Sequence, residues 1–451
     1  MGSLAGLLRA KGFSVRGSDA DPRPPVSTML EALGIRVLRG YDPRNLDPLP
    51  DTVVVGNVVG RANTEVAALL ERGIPYLSMP QALGEFILAG RHPVVVAGTH
   101  GKTTTSALMS HVLASAGLDP TYFVGGVIRG IERSFRLGAG PHAVVEGDEY
   151  ETAFFDKGSK FLHYRPRTAI LTSVEYDHAE MFPSIEAVEE AFRCFVELIP
   201  KDGTLVVCAD DPRASALAAS HSHAPRVTYG FLSGDLRGRV IDSGAEGTLF
   251  EAGGAAGTAR FAIPLSGDHN VLNALGVVAA ARRLGLADGE IAPGLASFPG
   301  VHRRQEVVGI ACGVTVLDDF AHHPTAVRAT IRGLRSRYPS GRLWAIFEPR
   351  TNTSRRSVFQ KDYAEAFDGA DEVVIAPVHE PEKAPPGERL DVGRLVEELR
   401  ARGLRARHLA GSEAIAATAA REARSGDVLL VMSNGTFEGV HQKLLEALGA
   451  T

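Results

Sequence analysis

Residues 94–105 combine the residue types and spacing of a phosphate-binding loop. An apolar stretch at 94–97 leads into a glycine-containing turn at 98–101, and a helical pattern begins at Lys102. Glycines let the backbone curl round an anion, and free N–H groups at the start of a helix point towards it. The lysine can reach the outer phosphates of a nucleotide, and the hydroxyl of Thr103 can bind Mg²⁺. The candidate ATP-binding residues of this loop are Gly98, Thr99, His100, Gly101, Lys102, Thr103 and Thr104.

This loop departs from the usual Walker spacing at one position. Val96 stands five positions before Gly101, where that spacing has a glycine, so the predicted loop is tighter. The alternative interpretation is a chance glycine turn between a strand and a helix. If the loop binds phosphate, Lys102→Ala is expected to abolish turnover and to leave the fold intact, because the charge is expected on a surface turn.

Acidic and histidine side chains follow two further predicted strands. Glu146, Asp148 and Glu149 come after the strand at 142–145, where carboxylates can hold Mg²⁺ directly or through water. The alternative is a solvated acidic loop. His178 follows the strand at 168–171, and its imidazole could bind a metal or a phosphate oxygen. A histidine near a strand end is more often structural, and both interpretations stay open.

Two more clusters contain side chains suited to a nucleotide. Asn270 and Asn273 are three positions apart on a predicted helix, so they share one face and could hold a base or the phosphates. The alternative is a helix cap with a solvent-facing amide. Arg304 and Asp319 lie further along the chain, and two domains could close round ATP. Taken alone, this second cluster is an ordinary strand-to-helix turn.

Strands alternate with helices along the chain, which predicts an α/β fold with parallel sheets. Helices are predicted at the chain start, from 63 to 71 and from 80 to 89, and hairpins between 244 and 257. Stretches bearing Pro and Gly near residues 90 and 299 are the expected linkers. Further strands are predicted at 13–19, 51–57, 142–145, 168–171, 204–208, 314–317, 343–347, 372–375 and 427–431.

Composition excludes several classes of protein. The chain has 451 residues, a hydrophobic fraction of 44% and a formal net charge of −5, which argues against a dedicated nucleic-acid surface. The 3 cysteines form no CxxC pair, so neither a disulfide framework nor a cysteine metal site is expected. No apolar run approaches the ~18 residues of a membrane span. A cytoplasmic protein is therefore expected.

The ordered motifs GTHGKTTT, EGDEY, EYDH, GDHNVLNA, HRRQE and DDFAHHPT resemble those of the Mur ligases, the ATP-dependent amide-bond-forming enzymes of peptidoglycan assembly. The resemblance covers essentially the whole chain. It implies an α/β fold of three domains: a Rossmann-like UDP-sugar domain at 1–90, a central P-loop ATPase at 91–298, and a C-terminal Rossmann-like domain at 299–451. Within the family, EGDEYETAFFDKGSKFLHY, FEPRTNTSRR and MSNGTFEGVHQKLL resemble the members that add a tripeptide.

The family resemblance implies an ATP-dependent ligase with ATP and Mg²⁺ as cofactors. Its partners would be UDP-N-acetylmuramate and the murein tripeptide L-alanyl-γ-D-glutamyl-meso-diaminopimelate, joined through an acyl phosphate in peptidoglycan recycling. Lys102, Glu146 and His178 would be catalytic, with Thr103, Glu146 and His178 at the metal. Asn270, Asn273, Arg304 and Asp319 would hold the nucleotide. The alternatives are an L-alanine-adding ligase of the same fold and a nucleotide-binding protein without ligase activity.

Binding residues for the two other substrates are expected after strands. Arg350, Asn352, Ser433 and Asn434 follow two strands of the C-terminal domain and could hold the carboxylates of a peptide. Ser18, Asp19 and Asn57 are the candidates for the UDP-sugar. The strand and Gly-rich turn that should precede the first helix are missing, which indicates a late start codon or a truncated domain. The alternative is a chain that simply begins with a helix.

Overall fold

The computed structural model describes residues 1–255 and 257–450. These residues form two compact units. The first unit contains Met1–Val174, Val188–Leu236 and Gly276–Gly294, and the second contains Glu175–Ala187, Arg237–Leu275 and Leu295–Thr451. The short segment Glu175–Ala187, which includes His178, thus belongs with the C-terminal residues. No helix among the described residues is long and apolar enough to cross a membrane.

The first ninety residues form short parallel strand pairs with helices. Strand β1 pairs parallel with β2, and β3 pairs parallel with β4. Leu46, Val55, Val66, Leu69 and Ile74 are buried together and give the β3–β4 region its own small core. In chain order the elements are α1 (Gly2–Ala10), β1 (Arg16–Asp19), α2 (Val26–Ala32), β2 (Arg36–Arg39), β3 (Val53–Val55), α3 (Thr64–Glu71), β4 (Tyr76–Ser78) and α4 (Met79–Ala82).

A largely parallel sheet fills the rest of the first unit. The strand order there is β13-β12-β11-β5-β8-β6-β7, and only β7 runs antiparallel to its neighbour. The central strands β5, β8 and β11 are apolar and buried over most of their length, as is typical of a parallel sheet covered on both faces. In chain order the elements are β5 (His92–Ala97), α5 (Lys102–Ser115), β6 (Thr121–Ile128), β7 (Arg133–Arg136), β8 (His142–Gly147), β9 (Glu151–Ala153), β10 (Asp156–Ser159), β11 (Thr168–Leu171), α6 (Ile185–Glu197), β12 (Thr204–Cys208), α7 (Pro212–His221) and β13 (Arg226–Gly230).

Three hairpin strands and two helices come next along the chain. Strand β15 pairs antiparallel with β16, with Phe250 opposite Phe261. These strands confirm the hairpins predicted between 244 and 257. The elements are β14 (Leu236–Gly244), β15 (Gly247–Gly254), β16 (Gly257–Ile263), α8 (Asp268–Arg283) and α9 (Asp288–Ala296).

The C-terminal part of the second unit is a six-stranded sheet with the order β17-β18-β22-β19-β20-β21. Strand β17 is antiparallel to β18, and the other pairings are parallel. In chain order the elements are β17 (Glu306–Ala311), β18 (Val314–Asp319), α10 (Pro324–Arg337), β19 (Leu343–Phe347), α11 (Gln360–Ala366), β20 (Glu372–Ile375), α12 (Val392–Ala401), β21 (Arg405–His408), α13 (Ser412–Glu422), β22 (Val428–Met432) and α14 (Val440–Gly449).

Helices cover both faces of this sheet, and a crevice lies at the carboxyl ends of its central strands. Side chains from α10, α11 and α12 form one core, and those from α13 and α14 form the other. The chain leaves β19 towards α11 on the first face, whereas it leaves the adjacent β22 towards α14 on the second. Open α/β sheets bind ligands where neighbouring strands diverge in this way. We call the space outside the carboxyl ends of β19 and β22 the C-terminal crevice.

The predicted mixed α/β fold is confirmed, and most predicted strands agree with the structure to within a few residues. The single helix predicted from 80 to 89 is wrong in detail. An α-helix at Met79–Ala82 is followed by π-helical turns at Leu83–Leu88. Gly84 lies within these turns, and close packing explains why this position is a glycine: a Cβ there would lie 2.5 Å from the carbonyl oxygen of His163.

Candidate functional site

The predicted phosphate loop lies in the first unit between β5 and the first residue of α5. Gly98 and Gly101 have φ angles of +134° and +80°, which favour glycine. Hydrogen bonds to Ser173, two residues after β11, hold the loop in place. The Thr99 N–H donates to the Ser173 carbonyl at 2.9 Å, and the His100 N–H donates to the Ser173 hydroxyl at 3.0 Å. The loop therefore has a defined shape at a helix N-terminus, which suits an anion.

Lys102 is held by a buried carboxylate. Its ammonium lies 2.9 Å from Glu149 Oε2 and also donates to the Gly98 carbonyl at 2.6 Å. The Lys102 and Glu149 side chains are only 11% and 2% exposed. Burial works against the ammonium charge, but Glu149, Asp148 and Glu146 outweigh it and hold the pKa of Lys102 above its usual value. The expectation of a lysine on a surface turn is therefore wrong, since this cation belongs to a buried ion pair.

Glu146 and Thr103 meet beside the loop. The Thr103 hydroxyl donates to Glu146 Oε1 at 2.8 Å, and the Gly125 N–H donates to Glu146 Oε2 at 2.5 Å. Burial raises the pKa of Glu146, and the negative charge of Asp148 adds to this shift. Asp148 itself pairs with Lys160 at 3.1 Å. The EGDEY carboxylates thus have three different environments.

The pair Thr103 and Glu146 fits the preferences of Mg²⁺. Both side chains offer hard oxygen ligands, and the two oxygens already lie 2.8 Å apart. A Cβ on Gly125 would lie 2.5 Å from Glu146 Oε1, so the glycine lets the backbone approach this carboxylate. A bound divalent cation would also favour the charged form of Glu146, which burial now disfavours.

In the second unit, Asn270 and Asn273 lie on one face of α8, as predicted. Both are buried, with 5% and 7% exposure. Asn270 Nδ2 donates to the Ser266 carbonyl at 2.9 Å, and Asn273 Nδ2 lies 3.4 Å from Asn270 Oδ1. The alternative of a solvent-facing amide is therefore wrong for both residues.

Arg304 and Asp319 lie near one another in the second unit. The Arg304 guanidinium sits 5.0 Å from the ring centre of Phe320. Asp319 accepts backbone N–H groups from Gln305 at 2.8 Å and Ala321 at 2.7 Å. Burial raises the pKa of Asp319 in spite of Arg304 and these two donors. In this structure Asp319 orders the turn that carries Arg304 through these two backbone bonds.

His178 lies in a buried polar cluster of the second unit. It has a φ angle of +56°, unusual for a residue other than glycine. Its N–H donates to Asp177 Oδ1 at 2.7 Å and to the Thr353 hydroxyl at 3.1 Å. Asp177 Oδ2 lies 3.9 Å from His322 Nε2. Burial would raise the pKa of Asp177, but the positive charges of His178, His322 and His323 and the hydrogen bond from Thr353 hold that pKa well below its usual value.

The predicted peptide-binding residues lie at the C-terminal crevice. Glu348, immediately after β19, is buried and accepts the Ser433 hydroxyl at 2.5 Å. Arg350 lies 3.6 Å from Glu348 with a quarter of its side chain exposed. Asn434 Oδ1 is buried and has no hydrogen-bond partner among the described residues. Asn352 instead accepts from Arg355 at 2.9 Å, so its carbonyl orders the loop.

Arg303 is bonded to the turn after β22, which lies at this crevice. Its guanidinium donates to the carbonyls of Ser433 and Gly435 at 2.5 and 2.8 Å. It also pairs with Asp318 at 3.1 Å. Both arginines of the HRRQE motif lie over the Phe320 ring, at 5.3 and 5.0 Å from its centre, but only Arg303 is shown bonded to the turn at Ser433.

The three UDP-sugar candidates are not brought together on one sheet. Ser18 and Asp19 end β1, whereas Asn57 follows β3, which belongs to a separate strand pair. The Ser18 hydroxyl donates to Glu65 of α3 at 2.5 Å, and Asn57 is exposed.

The sequence did not identify Glu149 as the partner of Lys102 or Thr353 as a partner of Asp177. Glu149 could have been found, because its motif follows the strand adjacent to the phosphate loop. Thr353 has no such signal, since its contact joins residues 176 positions apart.

The fold and the loop define an α/β nucleotide-dependent enzyme. Family models agree: the Mur ligase family catalytic domain matches residues 1–91, the Mur ligase middle domain matches 96–281, and the Mur ligase glutamate ligase domain matches 303–435. The chain therefore belongs to the Mur ligase family and has the N-terminal, middle and C-terminal domains of that family. It is an ATP-dependent ligase of peptidoglycan metabolism.

Individual relatives match over nearly the whole chain. UDP-N-acetylmuramate–L-alanyl-γ-D-glutamyl-meso-2,6-diaminoheptandioate ligase of Escherichia coli K12 is 40% identical over 99% of this chain and 96% of its own. UDP-N-acetylmuramate–L-alanine ligase of Kineococcus radiotolerans is 39% identical over 99% and 94%. The crystal structure of a murein peptide ligase from Psychrobacter arcticus 273-4 is 36% identical, has a TM-score of 0.72, and matches 100% of this chain and 97% of its own.

Proposed function

We propose that this ligase joins UDP-N-acetylmuramate to L-alanyl-γ-D-glutamyl-meso-diaminopimelate in the recycling of peptidoglycan. Relatives that add the tripeptide and relatives that add L-alanine are 40% and 39% identical to the chain, so identity alone does not choose between them. We base the choice of the tripeptide over L-alanine on the side chains at the C-terminal crevice. It offers a partly exposed guanidinium on Arg350 and a buried amide oxygen on Asn434.

The two candidate amine substrates, L-alanine and the tripeptide, differ in the number of charged groups that the enzyme must bind. Free L-alanine has one carboxylate, which one or two donors can hold. The tripeptide has several carboxylates and a distal amine, so it needs donors and acceptors spread along a longer groove. A guanidinium binds a carboxylate with two parallel hydrogen bonds, and the Asn434 oxygen can accept from an ammonium group. This mixed set favours the tripeptide.

The first step of the reaction brings together two anions, the carboxylate of UDP-N-acetylmuramate and the γ-phosphate of ATP. A carboxylate oxygen of UDP-N-acetylmuramate attacks the γ-phosphorus of ATP, ADP leaves, and an acyl phosphate forms on the sugar's carboxyl group. The peptide amine then attacks the acyl carbon, and phosphate leaves. Lys102 and the N–H groups at the start of α5 offset the repulsion of the first step. Phosphate oxygens would take the place of Glu149 and the Gly98 carbonyl as partners of the ammonium.

We assign the remaining roles as part of the same proposal. Mg²⁺, when bound, neutralises phosphate charge, and Thr103, Glu146 and His178 would hold it. Asn270, Asn273, Arg304 and Asp319 would position the nucleotide, with Asp319 acting through the turn at Arg304. Ser18, Asp19 and Asn57 would contact the UDP-sugar.

A competition assay tests the proposed amine substrate. The full-length enzyme receives ATP, Mg²⁺, UDP-N-acetylmuramate and equal concentrations of the tripeptide and L-alanine, and the products are separated by mass. We expect mainly the tripeptidyl nucleotide. A product that is mainly monoalanyl would show that the L-alanine ligase is the correct activity.

Arg350 variants then test the crevice. Arg350→Ala is expected to raise the KM for the tripeptide about tenfold or more, a loss typical of a charge-assisted pair, and to leave the KM for ATP unchanged. Arg350→Lys keeps the charge but not the fork, and we expect it to recover only part of the loss. Arg394→Ala is the matched control, because Arg394 pairs with Glu398 on the exposed side of α12. An unchanged KM for the tripeptide in Arg350→Ala would contradict this assignment.

A further inference from the structure

His178 is held in its unusual backbone conformation by two residues. A residue other than glycine rarely adopts a φ of +56°, and this conformation persists only where the surroundings fix it. The His178 N–H is shared between Asp177 Oδ1 at 2.7 Å and the Thr353 hydroxyl at 3.1 Å. One of these acceptors is its sequence neighbour, and the other comes from a distant part of the second unit.

Thr353 also makes a hydrogen bond to Asp177, the residue before His178. Its hydroxyl donates to Asp177 Oδ1 at 2.7 Å, so a single side chain contacts both the carboxylate and the N–H of the 177–178 turn. Thr353 and Asp177 are 2% and 4% exposed, which shields these bonds from water. Hydrogen bonds of this kind to a buried carboxylate are stronger than neutral ones.

Thr353 belongs to the loop that follows β19 and begins at the C-terminal crevice. Internal bonds order this loop: the Arg355 N–H donates to the Thr351 carbonyl at 3.0 Å, and Arg355 Nη1 donates to Asn352 Oδ1 at 2.9 Å. Arg350 lies three positions before Thr353. Thr353 is thus part of the same short ordered segment that begins at the crevice.

We propose that Thr353 is a positioning residue that couples the amine-binding loop to His178. The proposal rests on the function given above, in which Arg350 binds the peptide and His178 serves the transfer site. An ordered loop holds His178 in its left-handed conformation, and a bound peptide stabilises the ordered loop. Thr353 itself contacts neither substrate and acts through the 177–178 turn.

Removing the Thr353 hydroxyl tests this coupling. Thr353→Val is expected to lower kcat for tripeptide ligation about tenfold or more, because small displacements of catalytic groups are costly, and to leave the KM for ATP unchanged. Thr353→Ser keeps the hydroxyl, and we expect kcat within about threefold of the parent. If the valine variant does not fold because its methyl group faces a carboxylate, Thr353→Ala makes the same test.

Thr248→Val is the matched control for stability. Thr248 is 3% exposed, and its hydroxyl donates to the Leu265 carbonyl at 2.9 Å, far along the chain from the 177–178 turn. The same substitution there likewise removes the hydrogen bond of a buried hydroxyl group. We expect a similar fall in the melting temperature and an unchanged kcat. A fall in kcat equal to that of Thr353→Val would show that the effect is general destabilisation.

The His178→Ala background separates this proposal from the function it rests on. If Thr353 acts through His178, adding Thr353→Val to His178→Ala lowers kcat no further. An additional fall of the full size would overturn the coupling, as would a parental kcat in Thr353→Val alone. A parental kcat in His178→Ala would instead contradict the assigned function of His178.

Discussion

The charge of Lys102 and its buried position have opposite energetic requirements. A lysine that neutralises phosphate must keep its charge, yet this ammonium is almost fully buried. Glu149 supplies the compensating charge at 2.9 Å and holds the pKa of Lys102 above its usual value although burial opposes it. A charged donor is thus held beside the predicted phosphate loop, and Glu149 offsets the desolvation penalty that an isolated buried cation would have.

This pairing changes what a lysine variant should do. Lys102→Ala leaves the Glu149 carboxylate buried without its cation, so we expect a loss of about 3–5 kcal/mol in the free energy of unfolding as well as a loss of turnover. Lys102→Met combined with Glu149→Gln removes both charges at similar volume. The double variant should regain most of the stability and remain inactive, as measured by urea unfolding and by ATP turnover.

Two results would contradict the assignment of Lys102. A Lys102→Ala protein as stable as the parent would show that the ion pair contributes little. Turnover above about a tenth of the parental rate in the stable double variant would show that the ammonium is not needed for phosphate transfer, where several kcal/mol of stabilisation are expected.

At the scale of elements, a close contact between α10 and the turn before α8 positions Asn270. Gly333 lies in α10, and a Cβ there would be 3.0 Å from the Gly267 Cα and 3.1 Å from the Ser266 carbonyl oxygen. That same carbonyl accepts from Asn270 at 2.9 Å. Gly267 has a φ angle of +96°, so neither glycine can be replaced without a shift of the backbone.

Gly333→Ala should therefore reverse the usual effect of this substitution in a helix. Alanine normally stabilises a helix interior by about 1 kcal/mol relative to glycine. Here we expect a destabilisation of about 1–3 kcal/mol from overpacking. The Kd for ATP should also rise, because the Ser266 turn moves with Asn270. Thermal unfolding and a nucleotide titration measure the two effects.

Gly289→Ala in α9 is the matched control, since a Cβ there has no atom within 4 Å. This variant should be as stable as the parent or slightly more stable and should bind ATP normally. Equal melting temperatures for the two glycine variants would contradict the packing argument.

Elements and site residues differ in how far the sequence predicts them. The strands Thr168–Leu171, Thr204–Cys208 and Leu343–Phe347 have the predicted bounds, because a buried parallel strand is a nearly continuous apolar run that the sequence shows directly. A candidate phosphate loop can be predicted from sequence because its residues are consecutive in the chain, between a strand and a helix. The contact of Thr353 with Asp177 was not predictable, because it depends on how segments distant in sequence pack together.

At the scale of the whole molecule, the chain offers a natural probe of one unit. It contains a single tryptophan. Trp344 lies in β19 of the second unit with 1% exposure, and the guanidinium groups of Arg342 and Arg407 lie 5.6 and 5.7 Å from its ring. Its fluorescence should report the unfolding of that unit alone, whereas far-UV circular dichroism follows the helices and strands of both.

Because each unit has its own buried core, we expect the two probes to give transitions that do not coincide in urea. Leu108 and Leu430 are both fully buried, the first in α5 of the first unit and the second in β22 of the second. Substitution of either by alanine should cost about 3 kcal/mol. Leu108→Ala should move only the circular dichroism transition, whereas Leu430→Ala should also move the fluorescence transition. If both substitutions shift both probes equally, the chain unfolds as one cooperative body and the division into two units has no thermodynamic counterpart.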